Sequence, residues 1–181
     1  FSFLCKPHAQ TTHQLAPELT EFSISGTSTL HDWTMTLDQG KSSGDASFTL
    51  DGSKLTAVDG LSIRVESEGL KSGKAQMDQN AYQALRTGEH PHILFEMGAV
   101  EKMEEKAGTY HITARGKLTV AGAAREIDLT ATCMVDGTQI TCSGSQPIKM
   151  SDFSMEPPTA MFGTIKTGDD LSIGYRAVFS R

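Results

Sequence analysis

The chain has 181 residues, 38% hydrophobic and 21% charged, which is enough for one globular domain with a sizeable core and excludes a disordered chain. Its formal net charge of −6 argues against a nucleic-acid partner, whose phosphates require a basic face. No apolar run approaches the roughly 18 residues that would cross a bilayer as a helix, so no transmembrane segment is predicted.

Residues 1–19 show no periodicity and contain Pro7 and Pro17, so they read as an N-terminal tail ahead of one domain over 20–181. Phe1 to Cys5 looks like the end of a secretion signal, with His8-Ala9-Gln10 near a cut; the tail is either a signal-peptide remnant of an exported protein or unstructured chain. Phe22 and Ile24 then alternate with polar residues in a first strand ending at Gly26. Trp33, Met35 and Leu37 alternate next, with Leu30 out of phase, which predicts a bulge near His31-Asp32. Ala46, Phe48 and Leu50 mark another strand, and Leu61, Ile63 and Val65 another.

Asp78 is expected to cap a short helix that carries Tyr82 and Leu85 on one face and ends at Gly88. Pro91 opens a strand with Ile93, Phe95 and Met97, and 101–108 reads as a charged turn. Residues 110–135 carry the strongest signal. Ile112, Ala114, Leu118 and Val120 share one face, as do Ile127, Leu129, Ala131, Cys133 and Val135, around a turn at Ala121 to Ala124. A hairpin this long with one apolar face needs a curved sheet to cover it, which points to a barrel. The last strand alternates strictly through Leu171, Ile173, Tyr175, Ala177 and Phe179. The fold class is therefore all-β, an extended antiparallel barrel of about eight strands with one short helix.

A turn at Asp136-Gly137-Thr138-Gln139 would set Val135 opposite Ile140 and Cys133 opposite Cys142. That pair is either a cross-strand disulfide, suited to an oxidising compartment, or two buried thiols filling the core.

Several motifs occur together in order. Pro91, Ile93 and Phe95 form P-x-I-x-F. Gly116, Leu118, Thr119, Val120, Gly122, Arg125, Ile127 and Leu129 form G-x-L-T-V-x-G-x-x-R-x-I-x-L. Asp152-Phe153 follows, and Gly168 to Ile173 leads the last strand. This ordered set resembles the YceI-like family of periplasmic lipid-binding proteins over about residues 20–180. The opening Gly26 to Trp33 is similar to Bacteroidetes-type members. The resemblance implies a lipocalin-like barrel in the periplasm. It also implies a long apolar tunnel that binds or transports an isoprenoid lipid, such as an isoprenoid quinone or polyprenyl phosphate. Gln76 and Met77 stand where many members have an arginine before Asp78, and Lys149 and Met150 fill the stretch before Asp152 where an arginine is frequent.

The predicted tunnel lining is Phe48, Leu61, Ile63, Phe95, Ile127, Leu129, Phe153, Met155, Met161, Phe162, Ile173 and Tyr175. Each buried CH₂ of a prenyl chain gains roughly 0.8 kcal/mol, so a long tail needs no strong polar contact. His90-Pro91-His92 lacks the further ligands of a zinc site, and no nucleophile elbow or phosphate loop is present. The reading is a non-enzymatic lipid carrier with no cofactor besides its lipid. The alternative is a structural or protein-interaction barrel without a ligand. An enzyme on a hydrophobic substrate would have Tyr175 as its inward titratable group. Homodimer formation stays open.

Overall fold

The computed structural model describes residues 9–181, and the signal-like stretch with Cys5 lies outside the described residues. The strands are β1 (Ala9–Leu15), β2 (Glu21–Ser28), β3 (Trp33–Leu37), β4 (Ser42–Asp51), β5 (Lys54–Glu66), β6 (Leu70–Lys71), β7 (His92–Lys106), β8 (Thr109–Val120), β9 (Ala123–Asp136), β10 (Gln139–Lys149), β11 (Thr159–Ala160) and β12 (Ile165–Ser180), with one α-helix, α1 (Ala75–Leu85). Eight of them form an antiparallel ring in the order β1-β4-β5-β7-β8-β9-β10-β12, closed by β1 on β12. Strands β2, β3 and β6 extend the sheet from β12 beyond that ring.

The alternation in the sequence becomes the inside of the wall. On β8, Tyr110, Ile112, Ala114, Leu118 and Val120 are all buried. They pair with β9 without a register break from Thr109↔Met134 to Val120↔Ala123. The turn is tighter than expected, two residues long, with Ala121 at φ 50° and Gly122 at φ 78°. Such a left-handed pair matches the twist of the strands it joins. The second hairpin keeps the predicted register, Ile140↔Val135 and Cys142↔Cys133, and the two cysteines form a disulfide with a Cα–Cα distance of 4.1 Å.

The described part of the expected tail is partly structured. Residues 9–15 pair with β4 from Ala9↔Leu50 to Gln14↔Asp45 and help close the ring. This strand is hard to see in sequence because its inward positions are Thr11, His13 and Leu15, not a run of apolar residues. His13 is buried edge-on to the Phe48 ring at 5.3 Å, and its Nδ1 lies 3.2 Å from the Thr11 carbonyl. The slip at His31-Asp32 is a loop between two strands, not a bulge inside one. Residues 101–106 extend β7, and the turn shrinks to Ala107-Gly108. In the helix, Asp78 caps nothing of its own first turn. Its carboxylate instead accepts from the Ser72 amide at 2.8 Å and the Ser72 hydroxyl at 2.6 Å. Arg86, at φ 52°, ends the helix in place of Gly88.

Strand β12 changes neighbours along one edge, from β2 at Leu171–Arg176 to β1 at Phe179–Ser180. At the handover its backbone is satisfied from the connecting segment. The Ala16 amide donates to the Val178 carbonyl at 2.7 Å, and the Val178 amide donates to the buried Thr20 hydroxyl at 3.1 Å. Thr20→Val keeps the shape and removes that acceptor, leaving a buried amide unpaired. The variant should lose about 1–3 kcal/mol in urea unfolding. A loss near zero would show that Thr20 does not sustain the handover.

Candidate functional site

The barrel interior holds two packed regions. One end is filled by Leu15, Ala46, Phe48, Leu55, Tyr110, Ile112, Ile140, Phe179 and the disulfide. The Tyr110 hydroxyl accepts the Leu55 amide there at 3.0 Å, so the plug contains a satisfied polar anchor. The other end gathers Met35, Leu37, Leu70, Phe95, Leu118 and Phe153 with Leu85 of α1, and Leu61 and Ile63 touch both regions.

Between the two ends lies an interior cavity of about 130 Å³. Of the predicted lining, Phe48, Leu61, Ile63, Phe95, Ile127, Leu129, Ile173 and Tyr175 border it, and Gln146 is its one amide side chain. Its floor includes Phe48, Phe179 and the Cys133–Cys142 pair. The hydroxyl of Tyr175 donates to the Thr130 carbonyl at 2.6 Å. Burial pushes that phenol up to about 12, so it stays protonated at neutral pH and is a poor general base.

A second cavity, about 330 Å³, lies between α1, the β2–β3 segment and residues 158–167. The helix presents Met77, Ala81, Ala84 and Leu85 to it. Ile24, Trp33, Met35, Met150, Met155 and Leu171 line the facing side. Polar groups also border it, among them His31, Lys74, Gln76 and Asn80, with the Gln76 amide donating to Asn80 Oδ1 at 3.0 Å. Residues of the two cavity linings pack together in one cluster, which includes Met77, Met155, Phe95, Ile127 and Ile173. A wider cleft of about 620 Å³ beside β2 mixes Glu18, Glu21 and Arg176 with apolar groups, and so lacks a dry surface for a hydrocarbon chain.

The remaining predicted positions divide. Met155 lines the outer cavity, and Phe153 is buried in the packing beside it. Met161 and Phe162 do not line a tunnel and must be corrected. They form the tip of the β11–β12 turn at φ 51° and 54° and point to solvent. The turn closes through Gly163 N–H to the Ala160 carbonyl at 3.1 Å, which leaves both side chains outside. Met77 and Gln76, in place of the expected arginine, both line the outer cavity. Lys149 does not: it pairs with Asp170 at 2.6 Å, a hydrogen bond that raises its pKa, while its neighbour Met150 enters the lining.

Sequence reading missed the outer cavity. Its helical signal was nevertheless present, since Met77, Ala81, Ala84 and Leu85 follow the i, i+4, i+7, i+8 spacing of one helix face. His90 belongs to no cluster. Its ring covers the 121–122 turn, where a Cβ on Gly122 would lie 2.5 Å from Cε1. Among the described residues, no group of three or more His, Cys, Asp or Glu could hold a metal ion, and no helix is long and apolar enough to cross a membrane.

Comparisons with known proteins agree on the family and the fold. The family model described as a YceI-like domain matches residues 10–179. No curated protein matches by sequence. The structure of Burkholderia cenocepacia BcnA is similar, with a TM-score of 0.71 and 18% identity over 91% of this chain and 98% of that one. A polyisoprenoid binding domain from Saccharophagus degradans, implicated in plant cell wall breakdown, gives 0.67 and 11% over 95% and 99%. The Campylobacter jejuni YCEI protein gives 0.61 and 19% over 78% and 82%.

The protonated Tyr175 gives a spectroscopic test. Its folded pKa lies above that of a free phenol. Its contribution to stability is therefore complete below pH 10 and lost as pH rises through about 12. In an alkaline absorbance titration of the protein's three tyrosines, the Tyr175→Phe variant should lack the step near pH 12. Loss of a step near pH 10 instead would mean that the phenol is not held back by burial.

Proposed function

We propose that this chain, which belongs to the YceI-like family, is a non-enzymatic periplasmic carrier that holds an isoprenoid lipid, an isoprenoid quinone or a polyprenyl phosphate. The observation that carries this reading is the pair of apolar cavities whose linings pack in one cluster. The tail occupies the interior cavity with its end toward the plugged floor. The rest of the chain lies beneath α1, and the head group reaches the polar groups Lys74, Gln76 and Asn80.

Energetics support a tail-driven mode. A prenyl chain gains roughly 0.8 kcal/mol for each CH₂ removed from water, so a handful of isoprene units outweighs any single polar contact at the rim. Binding requires no bond making, and the interior phenol is already engaged with Thr130. Methionines at 35, 77, 150 and 155 suit a flexible chain, because a thioether fills irregular gaps in several rotamers. The cross-strand disulfide fits an exported protein, since such bonds persist in oxidising compartments.

The test is protein purified from its own host, extracted with solvent and analysed by mass spectrometry. The expected result is one isoprenoid lipid per chain. Leu129→Trp adds bulk to the interior cavity at an overpacking cost of about 1–3 kcal/mol, and should yield folded protein depleted of that lipid. Wild-type protein without extractable lipid would overturn the carrier reading.

A further inference from the structure

Among the described residues, the three most exposed large apolar side chains lie on two loops that meet. Phe162 is fully exposed (109%), Met161 is 69% exposed and Leu30 is 65% exposed. The two loops that carry them are fastened together. The Thr29 amide donates to the Lys166 carbonyl at 2.9 Å, and the Lys166 amide donates back to Thr29 Oγ1 at 3.1 Å. Leu30 also lines the outer cavity, as do Thr159, Ala160 and Ile165, which flank the Met161-Phe162 tip. The exposed residues are thus continuous with the rim of that cavity.

Their backbone is costly as well. Met161, Phe162 and Gly163 all have positive φ, at 51°, 54° and 82°. A left-handed conformation is unfavourable for an L-residue with a Cβ, and neither side chain is buried against the rest of the described chain. A turn of polar residues or glycines would close the same hairpin at lower cost.

We propose that Leu30, Met161 and Phe162 insert into a lipid bilayer and seat the mouth of the outer cavity against the membrane that supplies or receives the ligand. The inference rests on the carrier reading above and adds the surface through which the lipid is exchanged. A bilayer is the occupant favoured by the form of the site. Its apolar groups stand out singly on turns, whereas a stable protein interface needs a patch of about 800 Å² on each side. Lys74 borders the cavity and Lys166 follows the tip, and among the described residues neither has an ion-pair partner. Both suit the anionic headgroups that flank an inserted loop, and a hydrocarbon tail could pass from the acyl layer into the cavity with little contact with water.

Flotation with vesicles of phosphatidylethanolamine and phosphatidylglycerol tests the proposal. Wild-type protein should float with the vesicles. The combined variant Leu30→Ser, Met161→Ser and Phe162→Ser should lose roughly tenfold in bound fraction, because interfacial binding scales with the apolar area inserted. Met134→Ser, which removes an exposed methionine on β9, should bind as wild type does. Equal flotation of wild type and the triple variant would overturn the proposal. So would a wild type that fails to float, or concentration-dependent self-association abolished by the same three substitutions without vesicle binding. Lipid extraction from the same preparations separates the two readings. Wild type that carries lipid but ignores vesicles removes the docking surface alone; vesicle binding by protein that never carries lipid removes the carrier reading and leaves the docking surface standing.

Discussion

The architecture depends on how one strand shares its edges. Strand β12 bonds β10 along one side from Lys149↔Asp170 to Gln139↔Ser180. Its other side is divided between β2 and β1. If β1 held that whole side, the ring would be uniform along its length. If β2 held it, the ring would stay open. The division closes the barrel at the end of β12 near Phe179 and lets β2, β3 and β6 carry the sheet onward at the other end. Ala16 and Thr20 make the division affordable, because they satisfy the Val178 amide and carbonyl where no strand runs alongside.

The two ends differ in chemistry for the same reason. Where the ring closes, aromatic and β-branched side chains meet across the axis, and Phe48 packs edge-on to Phe179 at 5.7 Å. Where the sheet runs on, α1 covers an apolar space that the wall does not fill. The cavity system is therefore closed at the bottom and bordered by polar side chains at the top. For the proposed carrier, that polarity would set which end of an amphiphile enters first.

Much of this was legible in the residues. Strict alternation on β8, β9 and β12 identified the inner face, and eight positions predicted to line a tunnel do border the interior cavity. The register of the β9–β10 hairpin followed from a turn of four residues, and it brought the cysteines opposite one another. The failures have physical causes. Strand β1 is held by backbone bonds and presents Thr11 and His13 inward, so apolar patterning passes over it. Met161 and Phe162 have the composition of lining residues, but a left-handed turn puts them outside, and φ cannot be read from residue type. Asp78 stands four residues beyond the capping position, Lys74, and what it bonds is a loop serine that no periodicity marks. The outer cavity belongs to long-range packing between a helix and a hairpin some 80 residues apart in sequence, which local patterns do not encode.

The attachment of α1 constrains how the outer cavity can be reached. Asp78 ties its first turns to Ser72, Tyr82 donates from mid-helix to the Leu70 carbonyl at 2.8 Å, and the Arg86 guanidinium at its end grips the Ala121 carbonyl of the β8–β9 turn. A lid fixed at both extremities and at its centre cannot swing open like a flap without breaking several bonds at once. For the proposed carrier, the path that remains runs along its underside, between Met77 and the 158–167 segment. On the carrier reading, the thioethers along that slot, and not a swing of the helix, would set how readily a tail slides.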